Sequence, residues 1–315
     1  FEPDLKKFTF DGLESVSINC KKSVNIITMN CAELKIKSCI VKSGKKIIKS
    51  TPKINEKTEE LQIKLGEKIR GLCTVDLEFK GILNDRLLGF YRSKYQQNGK
   101  TKYLATTQFE AADARRAFPC WDEPEAKATF EISIIADNKF TAISNMPIKT
   151  KKKIGNKITY NFQKTPLVST YLIYLGVGEF EYLTGKAGKI QIRVVTTKGN
   201  TSKGKFSLEL GKKLLTSYEK YFGIKFPLPK LDLIAVPDFA AGAMENWGAI
   251  TFRETILLYD PKTSSTRTKQ FIAEVISHEI AHMWFGNLVT MKWWNDLWLN
   301  ESFATFMATK FVDKF

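Results

Sequence analysis

The sequence predicts a β-rich N-terminal domain, a sandwich or saddle-shaped sheet over residues 1–182, followed by an α+β domain over residues 183–315. Three observations support this fold class. Short apolar runs with a period of two residues recur about every ten residues in the first part. Farther on, apolar residues recur at spacings of three and four, which is typical of helices. A length of 315 residues also favours two domains over one.

The first domain is predicted from short strands that are separated by turn residues. Its clearest signal is a hairpin, in which residues 91–95 and 102–108 flank Asn98-Gly99, because both turn residues tolerate positive φ. Period-two alternation also runs from Phe8 to Cys20. The other predicted strands are 26–29, 34–40, 61–65, 73–79, 129–135, 140–144, 157–162 and 170–177.

The second domain is predicted from strands that are followed by paired helices. Ser202 can cap a helix that stops at Gly223, since Ser is a common N-cap and Gly a common helix end. The longest helix is expected over 266–285, and the last helix from about Asn295. The predicted strands are 190–196, 231–236 and 249–251.

A metal-binding pattern lies on the longest predicted helix. His278 and His282 are the only histidines of the chain, and Glu279 lies between them. Residues four apart share one face of a helix, about 6 Å apart along its axis, so both imidazoles can bind one Zn²⁺. Glu279 projects to the side of that face, within reach of a water at the metal. Glu301 can supply a third ligand, which leaves the fourth position open as in catalytic zinc sites.

The alternative for this motif is a pair of buried packing histidines on an amphipathic helix. Three features favour the metal site instead. The chain contains no other histidine, and residues 271–282 are strongly helical in pattern. Glu301 opens an apolar helix, where an unpaired carboxylate would be costly to bury without a cation.

Composition limits the expected partners and location. The net charge of +16 would suit a nucleic-acid-binding protein, but the lysines cluster at turn-like positions such as Lys45-Lys46 and 151–153. We therefore expect no nucleic-acid partner. No apolar run reaches the eighteen or so residues of a membrane span, so none is expected within this chain. The five cysteines form no close pairs, which favours a reducing cytoplasm.

A second group of candidate residues, 241–248, precedes the histidine helix. It reads AGAMENWG, with small residues around a single Glu. Small residues let a backbone approach a ligand closely, and an extended edge here could pair with a peptide as an added strand. Glu245 would then point toward the metal. A turn whose Glu faces solvent fits these residues equally well.

These motifs together closely resemble the aminopeptidase N family of zinc peptidases, which are gluzincins, in particular the puromycin-sensitive and tricorn-interacting type. The resemblance extends over nearly the whole chain, and the combination of motifs is highly specific. It is carried by GAMEN at 242–246, HEIAH at 278–282 with Glu301, TQFE at 107–110, DARRAFPCWDEP at 113–124, WFGN at 284–287 and LWLNE at 297–301.

The resemblance implies a function and the residues that perform it. The second domain would be the first part of a thermolysin-like peptidase domain, in which His278, His282 and Glu301 bind one Zn²⁺ and Glu279 is the general base. Glu245 would hold the free α-amine of a peptide, with Glu110 nearby, which makes the enzyme an aminopeptidase. The residues implied in substrate binding are Gln108, Glu110, Gly242, Ala243, Met244, Glu245 and Asn246.

The family also places an oxyanion-stabilising tyrosine and a large helical domain beyond the third zinc ligand. Both would follow Phe315, so we expect this chain to be part of a longer protein. Three other functions remain open. A thermolysin-type endopeptidase does not need Glu245, an epoxide hydrolase of the same family is expected to carry Gly in place of Ala243, and a basic binding module needs no catalysis.

Overall fold

A computed structural model describes residues 1–314 as four β-sheets with four α-helices, in the predicted order of a strand-rich part followed by a mixed part. The strands of the first part are β1 (Glu2–Asp4), β2 (Thr9–Asn30), β3 (Lys35–Ser43), β4 (Lys46–Ile48), β5 (Ser50–Asn55), β6 (Glu60–Ile82), β7 (Gly89–Gln97), β8 (Lys100–Gln108), β9 (Ser133–Asp137), β10 (Thr141–Ser144), β11 (Ile148–Ile154), β12 (Lys157–Phe162) and β13 (Leu175–Gly178). The second part contains β14 (Phe180–Ala187), β15 (Ile190–Thr197), α1 (Lys205–Phe222), β16 (Lys230–Val236), β17 (Ala243–Met244), β18 (Ala249–Arg253), α2 (Glu254–Leu257), α3 (Thr266–His282) and α4 (Trp298–Val312).

The largest sheet is antiparallel, with strand order β1-β2-β6-β3-β4 and β5 also paired with β6. Its two long strands, β2 and β6, contain 22 and 23 residues. The sequence predicted two shorter strands in place of each. Register shifts between Cys20 and Ile26 explain the difference, because such irregularities bend a strand and interrupt its alternation without ending it.

A four-stranded sheet, in the order β10-β13-β8-β7, carries the first site residues. β7 and β8 form the predicted hairpin, and its turn residues Asn98 and Gly99 have φ values of 51° and 71°. β8 ends at Gln108, so Gln108 and Glu110 leave the sheet at one end. A separate three-stranded sheet has the order β11-β12-β9.

The sheet of the second part has the order β14-β15-β16-β18-β17 and places β17 at its edge. β15, β16 and β18 are parallel, and α1 forms the crossover from β15 to β16. α1 ends at Gly223, which has a φ of 67°, as the sequence predicted. The prediction for its start was wrong, because a 3₁₀ turn over Thr201–Gly204 precedes it and Gly204 occupies the N-cap position in place of Ser202.

The second part begins slightly ahead of the predicted boundary. β14 starts at Phe180 and pairs with β15, whereas the predicted division lies after residue 182, so the domain boundary stays a prediction. Among residues 1–314, no helix combines the length and the apolar character that a membrane crossing requires.

Two helices, α3 and α4, form the framework of the candidate site. Ser265 caps α3 by accepting a hydrogen bond from the Thr268 backbone N–H at 3.1 Å. α3 ends at His282, three residues before the predicted end. Gly286 explains this, because its φ of 127° turns the chain back and a Cβ there would lie 3.3 Å from His282 Nδ1. Ala304 of α4 is fully buried, so this side of α4 faces the protein interior.

Candidate active site

Three side chains from α3 and α4 converge on one point, as the motif predicted. The Nε2 atoms of His278 and His282 lie 2.9 Å apart. Glu301 completes a triangle, with Oε2 at 3.2 Å from His278 Nε2 and Oε1 at 3.5 Å from His282 Nε2. A tetrahedral zinc ion with bonds of about 2.0–2.1 Å separates its ligand atoms by about 3.3 Å. The spacing and the chemistry of this donor set therefore fit a zinc ion with one open position.

Neighbouring groups orient the two imidazole rings. His282 Nδ1 lies 2.9 Å from the backbone carbonyl of Phe285, so it donates there and leaves the lone pair of Nε2 free for a metal. Thr305 Oγ1 is the corresponding neighbour of the other ring and lies 3.4 Å from His278 Nδ1. Such outer contacts fix the tautomer and the ring orientation of metal-binding histidines.

The charges of this triangle suit a cation. Burial alone would lower the pKa of His282, but the carboxylates of Glu245 and Glu301 outweigh it and raise that pKa to about 10. Burial would likewise raise the pKa of Glu301, but hydrogen bonds from His278 and His282 hold it well below its usual range. A divalent cation would displace the proton from His282, because only neutral imidazole binds metal.

Glu279 lies on α3 beside the two histidines and is almost fully buried. Its Oε2 atom is buried without a hydrogen-bond partner. Burial is the main cause that raises the pKa of this carboxyl well above its usual value, and the positive charge of His282 only partly offsets it. A buried carboxyl with a raised pKa and a free oxygen is suited to exchange a proton with a neighbouring group.

A second cluster shares Glu301 with the first. Glu110, Glu245 and Glu301 each offer one carboxylate oxygen, and these oxygens lie within 4.8 Å of one another. Burial, followed by the charges of Glu245 and Glu301, raises the pKa of Glu110 to about 8. Like charges held this close favour a bound cation. The structure thus brings Glu110 from the first part next to the triangle of His278, His282 and Glu301.

Ala243 and Met244 form β17, the edge strand of the sheet in the second part, and Gly242 directly precedes it. β17 pairs with β18 on one side, with Ala243 opposite Phe252 and Met244 opposite Thr251. Within residues 1–314 its other side carries no paired strand. The solvent-facing turn that the sequence left open is not what forms here, because Glu245 is 3% exposed.

Two further residues of the predicted substrate site, Gln108 and Asn246, lie in the same region. Gln108 donates through Nε2 to the Met244 sulfur at 3.4 Å, and its Oε1 is buried without a partner. Asn246 is fully buried and donates through Nδ2 to Thr251 Oγ1 at 3.1 Å, so its side chain supports the loop. Direct contact of these side chains with a substrate stays a prediction.

Sequence reasoning assigned no role to several side chains that hold the loop around Glu245. Asn145 donates to the carbonyl of Trp247 at 3.0 Å, and Lys230 donates to that of Gly248 at 2.8 Å. Lys230 is buried, which lowers its pKa to about 8. An isolated Lys or Asn carries no spacing signal, so these residues could not have been found from a pattern.

Comparison with known proteins identifies both parts of the chain. Residues 1–172 match the family profile described as the peptidase M1 N-terminal domain, and residues 206–315 match the peptidase family M1 domain. Aminopeptidase M1 of Arabidopsis thaliana is 45% identical over 97% of this chain. Puromycin-sensitive aminopeptidase of Caenorhabditis elegans and mitochondrial aminopeptidase 2 of Saccharomyces cerevisiae are each 44% identical over 98% of it.

The chain spans about a third of the length of these curated relatives, 36% of the Arabidopsis protein and 33% of the other two. The part that it spans contains the match to the peptidase M1 N-terminal domain and the match to the peptidase family M1 domain. The profile matches together cover most of the chain, and the similarity to the relatives extends over nearly all of it. The chain belongs to peptidase family M1.

Proposed function

We propose that the full-length protein containing this chain is a zinc-dependent aminopeptidase that removes N-terminal residues from peptides. The observation that supports this most strongly is that Glu301 belongs to two adjoining clusters. One is the triangle with His278 and His282, and the other is the carboxylate group with Glu110 and Glu245. An aminopeptidase needs this pairing, because the ammonium group of its substrate lies only a few bonds from the peptide bond that is cleaved.

In this proposal His278, His282 and Glu301 hold the zinc ion. When bound, zinc would polarise the substrate carbonyl and make a water molecule more acidic. Glu279 accepts a proton from the attacking water and delivers it to the nitrogen of the leaving amine. Its buried Oε2 supports this role, since no other group in the described residues forms a hydrogen bond with that oxygen.

Glu110 and Glu245 would bind the substrate ammonium. Both carboxylates come from segments outside the histidine helix, and hydrogen bonds between charged groups are stronger and shorter than neutral ones. Gly242 and Ala243 would offer backbone groups along the free edge of β17, where an extended peptide can add as a strand. Gln108 and Met244 would border the pocket for the first side chain.

The three relatives from Arabidopsis thaliana, Caenorhabditis elegans and Saccharomyces cerevisiae are all named aminopeptidases, which favours this function over the alternatives. A thermolysin-type endopeptidase needs the zinc triangle but has no use for the ammonium-binding pair. Ala243 is present where an epoxide hydrolase of this family is expected to carry Gly.

The discriminating experiment measures release of free amino acid from an unblocked peptide amide and from the same peptide after N-acetylation. We expect acetylation to lower kcat/KM of the full-length protein by about a hundredfold or more, because it removes the charge that Glu110 and Glu245 would bind. Similar cleavage of both peptides would make the protein an endopeptidase. The full-length protein is required, since α4 exposes the large side chains Trp298, Phe303 and Phe306 in this chain.

We also propose that the protein works in a reducing compartment such as the cytoplasm. All five cysteines are free thiols, and the sulfur atoms of Cys20 and Cys73 lie 3.9 Å apart without a disulfide bond. Disulfides are rare in proteins of the cytosol, whereas secreted proteins commonly form them. Recovery of the full-length protein from a secreted fraction would contradict this proposal.

A further inference from the structure

Glu245 is positioned through its backbone. Its Oε1 atom is buried without a hydrogen-bond partner, and His282 Nδ1 lies 4.0 Å from it. A free oxygen suits a carboxylate that must receive a substrate cation. It also means that contacts of this oxygen do not fix the side chain, so the main chain at Glu245 must be held by other groups.

Different segments hold the two ends of the loop from Glu245 to Gly248. Asn145 and Lys230 bind the carbonyls of Trp247 and Gly248, at the far end of the loop. At the near end, Asn287 Nδ2 donates to the carbonyl of Glu245 at 2.7 Å. This bond also fixes the orientation of the Asn287 amide. The amide oxygen can only accept hydrogen bonds, so it could not take the place of Nδ2 beside the carbonyl oxygen of Glu245.

Asn287 is itself held rigidly against the zinc-ligand helix. Its backbone N–H donates to the carbonyl of His282 at 3.1 Å, which the turn at Gly286 makes possible. Its own carbonyl accepts a hydrogen bond from Lys127 Nζ at 3.1 Å, and Asn287 is fully buried. Asn287 therefore connects a metal-binding histidine directly to the backbone of Glu245.

We propose that Asn287 is a positioning residue for recognition of the substrate α-amine. Its side chain sets the position of Glu245 relative to the metal-binding histidines, and thus the distance from the ammonium site to the cleaved bond. This inference rests on the proposed aminopeptidase function. It gives Asn287 no contact with substrate or metal.

The test compares two substrates in the full-length protein: leucine p-nitroanilide, and the p-nitroanilide of 4-methylpentanoic acid, which has the same carbon skeleton and leaving group without the amine. Asn287→Leu approximately keeps the side-chain size but removes the donor, and Asn287→Ala removes both. Asn200→Ala is the control, because Asn200 Nδ2 also donates hydrogen bonds, in this case to the side chains of Thr197 and Glu254. Zinc content and Tm are measured for every variant.

We expect both Asn287 variants to raise KM for the leucine substrate about fivefold, the effect of one lost hydrogen bond, with a smaller change in kcat. KM for the substrate without the amine should change less than twofold. The preference of the enzyme for the amine therefore falls, while zinc content stays constant. Equal losses on both substrates, or a change no larger than in Asn200→Ala, would overturn the inference while the aminopeptidase function stands. If the unmodified protein cleaves both anilides equally, the proposed function fails, and the inference fails with it.

Discussion

Replacing Glu279 by Gln is expected to lower kcat of the full-length protein by about 10²–10⁴-fold, the usual contribution of a general base. Gln has nearly the same shape, so the buried position on α3 remains filled. It cannot accept a proton, however, and the proposed transfer from water to the leaving amine is lost. Zinc content should not change, because Glu279 lies outside the triangle of ligand atoms.

The matched control is Glu274→Gln, which changes the same residue type on the same helix. Glu274 is exposed, whereas Glu279 is buried, so the control alters the helix charge without touching the site. Activity of the control should stay within about twofold of the unmodified protein. If Glu279→Gln retained a tenth or more of the original kcat, another residue would have to be the base.

Replacing His282 by Ala is expected to weaken zinc binding by more than about a hundredfold, since even changes in outer contacts cost ten- to a hundredfold. In the proposed site His282 would supply one of two imidazole donors, and within this chain His278 would be the other. Loss of metal should reduce peptide cleavage to background. Zinc content by elemental analysis and activity on an unblocked peptide measure the two effects together.

A second variant separates metal loss from misfolding. His282 is buried, so Ala leaves a cavity, whereas His278 is partly exposed and His278→Ala disturbs packing less. Both variants should lose zinc even where the circular dichroism spectrum shows a folded protein. A folded His278→Ala protein with full zinc content would exclude the ligand triangle.

Local patterns predicted the elements that depend on local geometry. The Asn98-Gly99 hairpin formed because both residues accept positive φ, and α1 stopped at Gly223 for the same reason. The predicted start of α1 was wrong, because a 3₁₀ turn precedes the helix and no side chain caps its first residues. The stretch 170–177 was predicted as one strand, yet it begins with a 3₁₀ turn, whose Leu172 carbonyl accepts a hydrogen bond from Asn145.

The candidate site was predictable to the extent that its residues share a helix or a motif. His278 and His282 are one turn apart, so their convergence follows from helix geometry. The position of Glu110 close to these histidines does not follow from helix geometry, because it depends on how β8 packs against the second part of the chain. That contact was expected from the family resemblance. Asn287 belongs to the WFGN motif at 284–287, but its hydrogen bond to the Glu245 carbonyl depends on the turn at Gly286.

The most direct test of the account is a crystal structure of the full-length protein with anomalous data collected at the zinc absorption edge. Glu301 belongs to two groups that could hold a metal ion, so the position of the anomalous peak decides between them. We predict one peak at about 2 Å from the Nε2 atoms of His278 and His282 and from a Glu301 oxygen. A peak among Glu110, Glu245 and Glu301 instead, or none near the histidines, would contradict the proposed zinc aminopeptidase.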